Sequence, residues 1–79
     1  MQKDIESRVK AILFTQFGVP ISAIKNTDDV YCEFGADSLD IVELSMQLED
    51  EFKIEIPDEV GFKIKTVQGF IDYLTENAP

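Results

Sequence analysis

The sequence predicts an all-α fold: a small bundle of three main helices plus one short helix, with a long loop between helices 1 and 2. Three observations predict it. Apolar residues recur at helical spacing around Ile5, Val9, Ile12 and Leu13, again at Ile41, Leu44, Leu48 and Phe52, and again at Val67, Phe70, Ile71 and Leu74. Capping residues, Asp37 and Thr66, stand just ahead of the second and third stretches. No strand pattern survives a pass along the chain.

The first helix covers residues ~3–17, with Ile5, Val9, Ile12, Leu13 and Phe17 inward. Gly18 and then Pro20 stop it. Phe14 falls opposite Ile5 on the helical wheel, which predicts an exposed phenylalanine. Residues 18–36 read as the long loop, with turn chemistry at Asn26-Thr27-Asp28-Asp29. Ile21, Ile24, Val30, Tyr31 and Phe34 read as anchors that pin it over the core. A loop this long in a compact domain is uncommon and is often functional.

The second helix runs from ~37 to ~52, with Asp37 as N-cap and Asp40 as its capping-box partner. Ser38 then takes the first helical position. Ile41, Leu44, Ser45, Leu48 and Phe52 form the buried stripe, and Asp40, Glu43, Gln47, Asp50 and Glu51 the wet one. Leu39, Val42 and Met46 lie along a flank. They read first as core, and alternatively as the edge of a groove beside Ser38. Ile54-Glu55-Ile56-Pro57 is extended, as the residue before proline requires. Pro57-Asp58-Glu59-Val60 opens a short turn of helix that Gly61 ends. Thr66 caps a last helix through ~76, in which Gly69 costs about 1 kcal/mol against alanine.

Seventy-nine residues make one domain, 1–79, with a small stability margin. Hydrophobic content of 44% is enough for one core and too much for a disordered acidic tail. No apolar run approaches the roughly 18 residues of a membrane span. Met1-Gln2-Lys3-Asp4-Ile5-Glu6 begins charged and amphipathic, without a signal-peptide core or a transit sequence. A cytoplasmic protein is expected, or an organellar one after removal of a transit peptide. Cys32 is alone, so the chain makes no internal disulfide and no multi-thiolate metal site. No basic residue adjoins Cys32 to activate it, and it reads as a packed or loop residue. The absence of histidine removes Ser-His and Cys-His dyads and most zinc sites, which disfavours an enzyme. Asp28, Asp29 and Glu33 lack the spacing and the glycine of a calcium loop.

The net charge of −9 is concentrated: twelve of the sixteen acids lie between Asp28 and Glu59, where Lys53 is the one base. Such a field repels nucleic acid and anionic membrane and steers basic proteins in. It also disfavours self-association, so a monomer is expected. Asp37, Asp40 and Glu43 stabilise the positive end of their helix. Glu49, Asp50 and Glu51 crowd the negative end, each costing about 0.3–1 kcal/mol at low salt. Stability alone would have placed lysines there. A partner-facing role accounts for the acids better, with solubility as the bland alternative.

Ser38 sits at the head of this acidic helix. As a local pattern it is a common helix-start serine. A phosphate ester there would gain from backbone N–H groups and the helix dipole, while Asp37 and Asp40 oppose a free phosphate. A covalent link overcomes that repulsion. With no histidine to activate it, Ser38 reads as an attachment point rather than a nucleophile.

Phe34-Gly35-Ala36-Asp37-Ser38-Leu39-Asp40-Ile41-Val42-Glu43-Leu44 resembles the attachment region of acyl carrier proteins of the dissociated, type II fatty-acid synthase kind. The resemblance continues through Leu48-Glu49-Asp50-Glu51-Phe52, Ile54-Glu55-Ile56-Pro57-Asp58-Glu59, Thr66-Val67-Gln68 and Ile71-Asp72-Tyr73, and so covers nearly the full length. It implies that Ser38 carries 4′-phosphopantetheine, added from coenzyme A by a holo-carrier synthase using magnesium. The thiol of that arm would hold acyl chain cargo as a thioester. It implies further that Asp37, Leu39, Asp40, Glu43, Met46, Glu49 and Asp50 contribute to recognition by fatty-acid synthesis enzymes, through basic patches on those partners. Phe34 stands where leucine is common in the family. Tyr31-Cys32-Glu33 replaces a smaller aliphatic-acidic run, Val60-Gly61-Phe62 a more polar one, and Phe14 a polar or small residue. Two other readings stay open: a carrier for a polyketide or other dedicated acyl pathway, and an unmodified acidic helical adaptor.

Overall fold

Ile5, Val9 and Leu13 recur every fourth residue and are buried along one stripe of helix α1 (Gln2–Phe17). The structure, a computed structural model, describes residues 2–78, with side chains from Asp4 onward. The ends of the expected 1–79 domain, Met1 and Pro79, and the Lys3 side chain lie outside the described residues. Phe14 is half exposed, as the helical wheel places it. The Gly18 N–H closes α1 on the Phe14 carbonyl at 2.8 Å.

The 18–36 loop departs from expectation. Ile21–Ala23 wind into a single 3-10 turn, and Val30–Glu33 form a four-residue helix, α2. Asp29 caps α2, its Oδ1 accepting from the Tyr31 N–H at 2.8 Å and the Cys32 N–H at 3.1 Å. A helix this short has no period to read; its cause is the cap. Ile24 and Val30 are buried and Tyr31 and Phe34 half-buried, so four of the five anchors hold. Ile21 is about half exposed and is not part of the buried core. The Phe34 ring tilts against Phe17, centroids 5.6 Å apart.

Backbone bonds stitch the loop to the segment ahead of the last helix. Val30 N–H donates to the Lys65 carbonyl at 2.8 Å, Val67 N–H to Asp28 at 3.0 Å and Gln68 N–H to Asn26 at 2.8 Å. Asp29 and Thr66 form an isolated antiparallel bridge there, and no longer strand occurs among the described residues. The Asn26 amide donates to Gln68 Oε1 at 2.9 Å and to Glu6 Oε1 at 3.3 Å. One side chain thus ties the loop to α1 and to the last helix.

Helix α3 (Ser38–Phe52) buries Ile41, Leu44, Ser45, Leu48 and Phe52, the stripe read from periodicity. It ends at Lys53, which is left-handed with φ +60°. The Glu49 carbonyl accepts from the Lys53 N–H at 2.8 Å and the Ile54 N–H at 3.3 Å. Helix α4 (Asp58–Lys63) runs past Gly61, which the sequence reading took as its end. Gly61 is buried inside α4 because the helix lies against α3 there: a Cβ at Gly61 would stand 2.8 Å from Ser45 Oγ. Glycine is required here for close approach, not for a turn.

Thr66 caps helix α5 (Val67–Asn77), its Oγ1 accepting from the Gly69 N–H at 3.0 Å. A Cβ at Gly69 would lie 2.8 Å from Ile64 Cγ2, so the packing of the α4–α5 connection offsets the helix cost of that glycine. Val67, Phe70, Ile71 and Leu74 face inward, as predicted. Helix α1 packs on both α3 and α5, and α4 covers α3. The result is a small all-α bundle with three long helices around one core.

Candidate functional site

Gly35, with φ +67°, turns the chain out of α2 in a conformation that favours glycine. Ala36 is buried and anchors the segment, its N–H reaching the Val30 carbonyl at 3.3 Å. Asp37 then caps α3 in a complete capping box. Its Oδ1 accepts from the Asp40 N–H at 3.0 Å, and Asp40 Oδ2 accepts from the Asp37 N–H at 3.1 Å. Ser38 is thereby fixed as the first residue of α3, with an exposed side chain. Among the described residues nothing hydrogen-bonds its hydroxyl. The site holds one free, exposed hydroxyl on a capped helix start, with no histidine in the chain and the neighbouring carboxylates of Asp37 and Asp40 engaged in the capping box.

Leu39, Glu43, Met46 and Asp50 follow at steps of four, three and four residues, so they share one side of α3. All four are exposed: Leu39 to 72% and Met46 to 58%, with Glu43 and Asp50 beside them. The reading of Leu39 and Met46 as core is therefore corrected; only Val42, between them, is partly covered. The structure brings these four together as a mixed apolar and acidic stripe running back from Ser38.

Among the acids of α3 and its cap, all but Asp50 have partners within the chain. Asp37 and Asp40 cap each other's backbone. Glu49 Oε2 accepts from the Ile56 N–H at 2.7 Å, which holds the extended segment against the end of α3. Glu43 Oε1 accepts from Gln16 Nε2 at 3.0 Å, and Gln16 is bonded in turn by Gln47. At the negative end of α3, Arg8 arrives from α1. Its Nε meets Glu51 Oε2 at 2.8 Å, its Nη2 donates to the Glu51 carbonyl at 2.8 Å, and its guanidinium lies 4.3 Å from the Phe52 ring centroid. The hydrogen bond that Arg8 donates to Glu51 raises the Arg8 pKa above its usual value. So two of the three acids that crowd this helix end, Glu49 and Glu51, have a structural use, and Asp50 alone of the three keeps the partner-facing rationale.

An open cleft of about 360 Å³ borders Ile5, Arg8, Glu51, Phe52 and Lys53. It lies at the opposite end of α3 from Ser38, and no attachment chemistry resides there. Cys32 is exposed on α2.

The model of the phosphopantetheine attachment site family matches residues 7–74. The chain belongs to this family. Phosphopantetheine attachment domains are generally not catalysts: they bear 4′-phosphopantetheine covalently and present acyl or peptidyl cargo to partner enzymes. The surroundings of Ser38 fit a tethered phosphodiester. Its hydroxyl is free and exposed, and the first-turn N–H groups of α3 favour negative charge, against the nearby carboxylates of Asp37 and Asp40. No helix among the described residues is long and apolar enough to cross a membrane.

Two features escaped the sequence reading. The Glu49–Ile56 hydrogen bond carried no signal, since a glutamate at the end of an acidic run looks solvated. The approach of Gly61 to Ser45 had a partial signal: a serine inside an otherwise apolar stripe.

Proposed function

We propose that Ser38 is the attachment residue and that the protein carries the growing acyl chain of a dissociated fatty-acid synthase. The capping box carries this reading, because it holds Ser38 at the head of α3 with its hydroxyl outward. Asp37 and Asp40 keep that first turn from fraying, which presents the hydroxyl in one orientation to an incoming synthase. The chain has no histidine, and the carboxylates beside Ser38 are engaged in the capping box, so in this reading the partner takes the proton. Once attached, the group supplies a flexible arm ending in a thiol that holds cargo as a thioester.

Leu39, Glu43, Met46 and Asp50 form the docking stripe of this proposal, the acids steering basic patches and the two apolar side chains giving short-range contact. Contacts of this exposed kind are weak and salt-sensitive, which suits a shuttle that must dissociate after each step. The high negative charge supports a monomer that circulates among cytoplasmic or organellar enzymes.

Intact mass tests the reading, before and after incubation with coenzyme A, magnesium and a holo-carrier synthase, with Ser38→Ala alongside. A gain of one phosphopantetheine in the parent alone is expected. No gain, with a synthase active on another carrier, leaves a binding-only adaptor. A polyketide or other dedicated carrier would gain the arm yet fail to exchange acyl groups with fatty-acid synthesis enzymes.

A further inference from the structure

In a chain of which 29% is charged, the fourteen residues 11–24 carry no charge at all. Eight of them are exposed. Phe14 is 50% exposed on the outer side of α1, and the 3-10 turn that packs against α1 adds Ile21, 47% exposed. Thr15, next to Phe14, turns its hydroxyl back onto the Ala11 carbonyl at 3.1 Å. Lys10, one turn before Phe14, is held by Glu6 at 3.0 Å. Ala11 and Gly18, three residues before the ring and four after it, flank it with little side chain, and the space beside Gly18 is open. Arg8 and Gln16, which reach Glu51 and Glu43 of α3, leave from the other half of α1. The uncharged face is therefore separate from the acidic stripe of α3.

We infer that this face of α1 and the 3-10 turn is where two copies of the chain meet, in a weak, reversible, two-fold pair. The inference does not depend on what Ser38 carries. Charge and shape select a second copy as the occupant. Contact through residues 11–24 sets no like charges face to face, whereas pairing through α3 opposes acid to acid. A bulky ring with small residues one turn to either side is self-complementary about a two-fold axis, because antiparallel α1 helices set each ring over the small residues of the other copy. Basic enzymes steered in by the acids gain nothing electrostatic from an uncharged face. A membrane surface calls for a longer apolar stripe than Phe14 and Ile21 provide. Eight exposed residues fall short of the roughly 20–30 a side of a stable interface, so the Kd is on the order of 0.1–1 mM. The net charge of −9 keeps the dilute chain monomeric, and salt strengthens the pair by screening that repulsion. Docking of basic partners on α3 responds to salt in the opposite sense. Pairing through α1 leaves the α3 stripe of both copies uncovered.

Sedimentation equilibrium tests the inference on the wild-type chain, Phe14→Ser and Leu39→Ser, at about 10 μM and about 1 mM, in about 50 mM and about 500 mM sodium chloride. Reductant is present so that the exposed Cys32 forms no intermolecular disulfide. The wild-type mass is expected to be that of one chain when dilute and to rise toward two when concentrated, further in high salt. Phe14→Ser, at an exposed position, keeps its fold by circular dichroism and stays at one chain throughout. It has the same charge as the wild type, so the comparison removes the effect of charge on apparent mass. Leu39→Ser, on α3, associates as the wild type does. A wild-type mass of one chain under every condition overturns the inference. Binding to phosphatidylcholine vesicles that Phe14→Ser loses would then assign the face to a membrane surface, and no such binding would assign it to a different protein. Association that survives Phe14→Ser, that Leu39→Ser removes, or that salt weakens overturns the inference as well.

Discussion

Replacing Gly61 by alanine is expected to have opposite consequences depending on residue 45. In the native background the new Cβ meets Ser45 Oγ at 2.8 Å, well inside the 3.4–4 Å of ordinary contact. Relief requires α4 or the Ser45 side chain to shift by several tenths of an ångström, and overpacking of this kind costs about 1–3 kcal/mol. Against it stands the gain of about 1 kcal/mol for alanine over glycine inside a helix. The net expectation is a loss of about 0–2 kcal/mol. With Ser45→Ala also present, Oγ is gone, and the next neighbours of the new methyl, Ile56 Cγ2 and the residue-45 Cβ, lie at a comfortable 3.9 Å. There Gly61→Ala should stabilise by the full helix term, about 1 kcal/mol. Ser45→Ala alone removes a hydroxyl from an otherwise apolar stripe and should change stability little. The coupling between the two sites is then about 1–3 kcal/mol, since residues in contact do not add. Urea unfolding of the four apo variants, followed by circular dichroism, measures it directly. Equal effects of Gly61→Ala in the two backgrounds, within about 0.5 kcal/mol, would refute the close approach of α4 to α3 at this point.

Further outcomes are expected at other positions. Asp37→Ala loses the cap of α3 and about 0.5–2 kcal/mol in thermal unfolding, whereas Asp37→Asn keeps an acceptor for the Asp40 N–H and most of the stability. Glu49→Ala releases the Ile56 N–H at a cost of about 1–3 kcal/mol, and Glu49→Gln recovers most of it; equal melts for all three chains would remove the structural role assigned to Glu49. Leu39→Ala, at a residue 72% exposed, should leave stability within about 0.5 kcal/mol while raising KM for a holo-carrier synthase, and Glu43→Lys should raise KM in a manner that high salt diminishes. Magnesium or added salt should raise Tm by screening the acids between Asp28 and Glu59; a flat titration would mean that their repulsion does not limit stability.

Much of the candidate site was legible because its causes are local. The capping box of Asp37 and Asp40 spans three residues, so the start of α3 and the place of Ser38 followed from sequence spacing, and the structure reproduces both hydrogen bonds. The buried faces of α3 and α5 followed from periodicity for the same reason. Leu39 and Met46 were misread because a flanking apolar residue is core or surface according to whether another helix covers it. Neighbouring helices leave that side of α3 open. The α2 turn was missed because four residues display no period, and its cap, Asp29, is equally good turn chemistry.

The sequence by itself determined the helical class, the positions of the three long helices, the placement of Ser38 and the concentration of charge around it. Each depends on residues within about one helical turn of one another, or on simple counting. Only the tertiary structure decided what joins residues distant along the chain. Arg8 offsets the negative end of α3 from another helix, Glu49 turns inward to Ile56, and Gly61 lets α4 lie against Ser45. The physical reason is that these contacts depend on how closely helices pack and at what rotation. Glycine inside a helix reads locally as a defect, and acquires its meaning only from the side chain on the facing helix that occupies the space.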